Sequence, residues 1–198
     1  MLHSCSLLAK FVLKKIFMRK LLNEELGRLS VDAFRKLEKI PIVVVLDNVR
    51  SLHNIGSIFR TADAFRLEGI YLCGITATPP HREIHKTALG ATESVHWEYR
   101  EETTRLIQEL KEQDYRIFSI EQAEGAVTLD QIQLRGNQKY ALVFGHEIRG
   151  VKQEVVDRSD QCIEIPQYGT KHSLNVSVAA GIVIWELFRK YPGAASLE

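Results

Sequence analysis

From Ile40 onward the chain alternates short apolar runs with stretches whose apolar residues recur at three- and four-residue spacing. Ile42-Val43-Val44-Val45-Leu46 has no polar position, the pattern of a strand covered on both faces. After it, Ile55, Ile58, Phe59, Ala62 and Phe65 form a helical stripe that Asn54 can cap. The same reading predicts strands at 69–73, 95–99, 116–120, 140–144 and 162–165. It predicts helices at 83–91, 103–113, 152–158 and 174–190, the last apolar almost all round and therefore buried on more than one side. Alternating strands and helices imply an α/β domain: a mostly parallel sheet flanked by helices. Residues 19–37 read as one or two helices outside that sheet. The expected division is thus a basic helical extension at 1–40 and one domain at 41–198.

Composition suits that division. The chain has 198 residues, 45% of them hydrophobic, and a formal net charge of +1. The charge is uneven: residues 1–40 carry a net +5, leaving −4 for the rest. A basic arm on a mildly acidic body favours a polyanion such as RNA, although a solvated helical face would look the same. Cys5, Cys73 and Cys162 are far apart and in no CxxC arrangement, which argues against a disulfide framework and fits a reducing cytoplasm. The first seventeen residues lack the order of a secretory signal, because Lys10, Lys14 and Lys15 follow or interrupt the apolar run. Met18 is an alternative start, and Leu197-Glu198 reads as a cloning remnant. No run approaches the roughly 20 apolar residues of a membrane span.

Familiar catalytic motifs are absent. There is no GxGxxG after a strand, no phosphate-binding GxxxxGK[ST], no GxSxG around Ser173, and no second histidine to make His146-Glu147 an HExxH site. His81 and His85 can share a helical face, but no third ligand is indicated, so no metal is expected.

What remains is three loops at strand ends, 47–54, 144–150 and 166–173, where ligands of open α/β sheets gather. Gly145 and Gly150 allow tight turns and close backbone approach. Asn54, Ser173 and Asn175 offer neutral donors and acceptors suited to a ribose or carboxylate. Arg50, Arg60 and Arg149 offer forked cations that match phosphate. Taken singly, each has a structural explanation. Asn54 can be an N-cap, and Arg60 can pair with Asp63. Glu147 can pair with Arg149 or cap a following helix, while Ser173 and Asn175 can cap the final one.

Taken together, the three loops resemble the TrmH (SpoU) branch of the SPOUT RNA methyltransferases. Asn54, Gly56 and Arg60 match the family's N-x-x-x-x-N-x-G-x-x-x-R element. Gly145, Glu147 and Gly150 match its G-x-E-x-x-G loop. Ile165-Pro166 and the run from Ser173 through Leu174 and Asn175 to Ala179 match its I-P … S-L-N-V-S-V-A element. The resemblance implies a C-terminal trefoil knot, a homodimer with the Arg60 helix and the final helix near the dyad, and S-adenosylmethionine as cofactor. The cofactor would be held largely by backbone groups around Phe144, Gly145, Ile165, Pro166, Ser173, Leu174 and Asn175.

The implied reaction is methyl transfer to a ribose 2′-hydroxyl of tRNA or rRNA, with Arg60, Asn54, Glu147, Ser173 and Asn175 as the catalytic set. A guanidinium holds its proton firmly, so Arg60 reads as well as a phosphate anchor that stabilises the forming alkoxide as it does as the family's proposed base. Two alternatives accompany this reading: a catalytically silent RNA-binding subunit, and an RNA base methyltransferase. A helical basic arm resembles the tRNA-directed arrangement more than a separate rRNA-binding domain.

Overall fold

The computed structural model describes residues 18–192. The expectations for residues 1–17, including Cys5 and the lysines of the lead, and for Leu197-Glu198 lie outside the described residues. The chain divides into two compact units, Met1–Ser30 and Val31–Glu198. In the first, Asn23–Leu26 is a single 3-10 turn closed by Gly27 at φ 57°. Arg19 clasps Glu25 through two hydrogen bonds of 2.6 and 2.9 Å. Its described residues are all exposed, so they add nothing to a core.

The second unit opens with helix α1 (Val31–Lys36) and then alternates through β1 (Ile40–Asp47), α2 (Leu52–Ala64), β2 (Leu67–Cys73), α3 (Arg82–Ala88) and α4 (Ala91–Ser94). It continues through β3 (Trp97–Arg100), α5 (Thr103–Glu112), β4 (Tyr115–Ile120), the two-residue β5 (Val127–Thr128) and β6 (Lys139–Phe144). It closes with α6 (Gln153–Val156), β7 (Gln161–Glu164) and α7 (Val176–Lys190). The seven strands form one sheet in the order β3-β2-β1-β6-β4-β7-β5, and every pairing is parallel. The expected strands are all present, and β5 is an addition too short for any periodicity to reveal. The predicted helix at 83–91 is two helices, because Leu89 and Gly90 take left-handed φ values of 50° and 90°.

The polar-free run of β1 is explained by its place in the middle of the sheet. Ile42, Val44 and Leu46 join one core, with Ile55, Ile58 and Phe59 of α2 and Ala180, Val183 and Ile184 of α7. Val43 and Val45 point the other way, into a second core with Leu106, Ile107 and Leu110 of α5 and Val155 of α6. Each fully buried valine, leucine, isoleucine or phenylalanine among them stabilises the fold by about 1.5–3 kcal/mol. Along the sheet, β1 is followed by β2 and β3 on one side but by β6 on the other, so the chain reverses its direction of winding there. That is the switch point at which crevices open in sheets of this kind.

One expectation is corrected. Asn54 does not cap α2: the helix begins at Leu52, and Ser51 is its N-cap, accepting from the Asn54 amide at 3.4 Å. Asn54 lies within the first turn and is buried, which frees its carboxamide for other partners. Further along α2, Gly56 lets α3 dock directly on its backbone. A Cβ there would collide with the Ile84 carbonyl oxygen and the Thr87 hydroxyl. Because one obstacle is backbone, Gly56→Ala is expected to destabilise the protein by about 1–3 kcal/mol. A lowered urea midpoint at unchanged m-value would show it, and an unchanged midpoint would refute it.

Candidate active site

The first loop is set by the end of β1. Asp47 is fully buried, and its carboxylate accepts from the Thr103 hydroxyl at 2.6 Å, the Asn48 carboxamide at 2.8 Å and the Lys152 amide at 3.4 Å. Those donors make the buried charge tolerable and tie β1 to α5 and to the start of α6. The Thr76 hydroxyl then donates to the Leu46 carbonyl and accepts from the Val49 amide, fixing the path into α2.

The second loop follows β6. His146 and Gly150 exchange backbone hydrogen bonds of 3.1 and 2.8 Å, and the His146 Nδ1 accepts from the Ile148 amide at 3.0 Å. Gly150 has φ 66°, a conformation unfavourable for other residues, and Gly145 lies so close that a Cβ would strike the Gly150 and Val151 backbone. This tight turn aims Glu147 across the switch point. Its carboxylate accepts from the amides of Ser51 at 2.8 Å and Arg50 at 3.1 Å, and from the Asn54 carboxamide at 3.3 Å. Glu147 therefore caps α2, which precedes it by 93 residues, rather than a helix that follows.

Asn175 opens the third contribution, as N-cap of α7. Its Oδ1 accepts from the Ser177 amide at 2.9 Å, and its Nδ2 donates to Asn54 Oδ1 at 3.1 Å. The chemistry orients both carboxamides. A carboxylate only accepts, so Asn54 must turn its NH2 to Glu147 and its oxygen to Asn175. Asn54 in the first turn of α2, Glu147 in the second loop and Asn175 at the start of α7 thus form a single directed chain of hydrogen bonds.

That chain borders a cavity of about 550 Å³ framed by the ends of β4, β6 and β7 and the start of α7. Phe144, Gly145, Ile165 and Leu174 give it an apolar, close-backed wall, and Glu147, Arg149, Ser173 and Asn175 give it polar groups. Asn54 stands behind this lining, bonded to two of its members. Pro166 does not line the cavity, although its neighbours Ile165 and Gln167 do. Arg60 is elsewhere: it is exposed on α2 and lines a separate groove against α3. It does not pair with Asp63, whose carboxylate accepts from the Ser94 hydroxyl.

Glu121 and Gln122, just past β4, belong to none of the three loops marked by sequence, yet both line the cavity. Glu121 accepts from the Val151 amide at 2.9 Å and so holds the far end of the second loop. Gln122 donates to the His172 carbonyl at 2.7 Å and holds the third. Their position immediately after a strand was the available signal.

Burial raises the Glu147 pKa, but the amides of Arg50, Ser51 and Glu147 itself, with the Asn54 carboxamide, outweigh it and hold the carboxyl below its ordinary value. A carboxyl depressed in the folded state stabilises above its unfolded pKa, about 4.3. The contribution is lost as pH falls through the lower folded value. The stability gap between the protein and Glu147→Gln should therefore be full at pH 7 and shrink below about pH 4. Urea midpoints across that range measure it, and a gap that stayed constant would count against the assignment.

His81 is accounted for as the N-cap of α3, accepting from the Glu83 amide. No group of three or more His, Cys, Asp or Glu side chains placed to hold a metal occurs among the described residues. Cys73 and Cys162 are free thiols, and burial pushes the Cys73 thiol up to about 12. No helix of the described residues is long and apolar enough to cross a membrane.

Comparison with known proteins agrees with this geometry. Residues 41–185 match the SpoU rRNA methylase family. A Staphylococcus haemolyticus protein named for the TrmH family of tRNA/rRNA methyltransferases is 34% identical over 153 residues, 77% of this chain and 60% of that one. The chain thus spans less than two thirds of the length of this relative. Among solved structures, the A. aeolicus TrmH/SpoU tRNA modifying enzyme superposes with a TM-score of 0.71 at 29% identity, covering 81% of this chain and 79% of the other. An AdoMet-bound rRNA methyltransferase from Sinorhizobium meliloti gives 0.72 at 28% identity, covering 79% and 59%.

Proposed function

The chain belongs to the SpoU rRNA methylase family, and on that premise we propose that it transfers a methyl group from S-adenosylmethionine to a ribose 2′-hydroxyl of tRNA or rRNA. The observation that carries this reading is the Glu147–Asn54–Asn175 chain at the rim of a cavity of about 550 Å³. The volume suits a compact nucleoside cofactor. Phe144, Ile165 and Leu174 would cover its adenine, and the close approach of Gly145 to Gly150 would leave backbone groups to grip the ribose. When bound, that cofactor supplies an electrophilic methyl group.

The chain's own residues have the remaining work. Glu147, fixed by three donors, is ionised at neutral pH and holds Asn54 and the α2 N-terminus in place. Asn175 and Ser173 would orient the ribose at the cavity mouth. Arg60 would hold the neighbouring phosphate and stabilise the oxyanion as the hydroxyl proton leaves to solvent or phosphate.

We further infer that the protein works as a homodimer in the cytoplasm. Val178, Ile182 and Trp185 form an exposed stripe along α7, 39–51% accessible, at the spacing of one helical face. Phe65, which lines the Arg60 groove, contacts Trp185 at 5.7 Å between ring centroids. A second copy covering this stripe would bring Arg60 to the interface. The described residues include no disulfide, which suits a reducing compartment.

Transfer of label from S-adenosylmethionine to total RNA, separated by size and then treated with alkali, tests the reading. Label in one RNA class on an alkali-resistant dinucleotide is expected. Label on a base would replace ribose by base methylation. Absence of label from protein that binds the cofactor would favour a catalytically silent RNA-binding subunit.

A further inference from the structure

Resting on the methyl-transfer reading, we propose that the groove between α2 and α3 is a ribose–phosphate subsite for the RNA strand, and that Lys86 is its second phosphate-holding group beside Arg60. The groove has a volume of about 550 Å³ and is distinct from the cofactor cavity. Two cations, Arg60 and Lys86, line it, and no carboxylate does. Neither cation has a hydrogen bond or ion pair to another described residue, unlike Arg19, Arg100 or Lys190, which are engaged by carboxylates. The nearest acid to Lys86 in sequence, Glu83, is hydrogen-bonded to His53 at 2.8 Å; it feels the Lys86 charge but does not line the groove.

The hydroxyls of the groove are arranged for the sugar. Ser57 donates to the His53 carbonyl and Thr61 to the Ser57 carbonyl, each one turn back on α2. Thr87 likewise directs its proton at backbone carbonyls, with His53 at 3.2 Å. Their protons being committed, these oxygens present lone pairs, which suit a ribose hydroxyl as donor rather than a phosphate oxygen. Cations for phosphate and acceptors for a 2′-hydroxyl, with no carboxylate in the lining, describe an RNA backbone more closely than a protein surface.

The sequence builds this pairing through Gly56. Its missing side chain is what allows α3 to lie against α2, with Thr87 and the Ile84 carbonyl at the contact. Lys86 is thereby carried to the same groove as Arg60. The motif glycine therefore serves RNA contact as well as packing.

Salt dependence of RNA binding decides the matter, because a lost phosphate contact lowers the slope of log affinity against log salt and a loosened fold does not. Lys86→Ala is expected to weaken binding of unfractionated tRNA about tenfold at low salt and to reduce the slope by about 0.7. Lys86→Arg should restore both, and cofactor affinity should not change. Arg105→Ala, which removes an exposed cation from α5 on the other face of the sheet, should leave the slope as it is. An unchanged slope in Lys86→Ala, or an equal loss in Arg105→Ala, would overturn the proposal. Failure of the methyl-transfer reading would show instead as absent label in the transfer assay, with the slope still deciding the role of Lys86.

Discussion

Replacing Arg60 with alanine should lower methyl transfer by at least about 10²-fold, the loss typical of removing one charge-stabilising donor, while cofactor affinity stays within about twofold. The split follows from placement. The cavity proposed for the cofactor is built from the ends of β4, β6 and β7 and the start of α7. Arg60 stands outside it, on an exposed face of α2. Deleting an unpaired surface cation strands no buried partner, so the fold and the cavity should survive. Calorimetric titration with the cofactor beside a transfer assay at saturating cofactor reads both quantities. Lost affinity with normal turnover at saturation would place Arg60 in cofactor binding instead.

Gly145→Ala should do the reverse, weakening cofactor binding by about 5–100-fold, since about 1–3 kcal/mol of overpacking converts at about 1.4 kcal/mol per decade. The added Cβ meets the backbone of Gly150 and Val151. That backbone cannot move aside freely. Glu121 holds the Val151 amide, and His146 and Gly150 bond each other twice. The loop must open, and the wall shared with Phe144 and Leu174 opens with it. Circular dichroism should show an intact fold. Tight cofactor binding by a folded Gly145→Ala protein would remove this loop from the site.

The two variants also test the dimer. Co-expressed Arg60→Ala and Gly145→Ala chains would regain part of the lost transfer if Arg60 serves the cavity of a second copy. The mixed dimer would then contain one intact cavity facing one intact arginine. If Arg60 served its own chain's cavity, the mixture would stay inactive.

Much of this architecture was legible in the chain. The six longer strands follow from apolar runs, and β1 announced its two covered faces through a run without polar positions. The three loops were marked as sites because they follow strands and carry glycines, amides and arginines. β5 was not legible, because two residues hold no period. Glu121 and Gln122 belong to no motif, although they follow a strand as the three loops do. Asn54 looked like a helix cap from its neighbours alone, and Ser51 three residues earlier takes that place.

The sequence by itself determined the alternation of strands and helices, the parallel sheet and the three loops that carry polar groups. Each of those rests on side-chain burial, which repeats along the chain and can be read locally. Tertiary structure alone decided that Glu147 caps a helix 93 residues before it and that Asn54 meets Asn175 across 121 residues. It also decided that Arg60 lines a groove with Lys86 rather than the cavity proposed for the cofactor. Hydrogen bonds between distant groups depend on strand order and on how closely helices cross, as at Gly56. Neither leaves a period in the sequence, because both are properties of segments brought together only when the crossovers close.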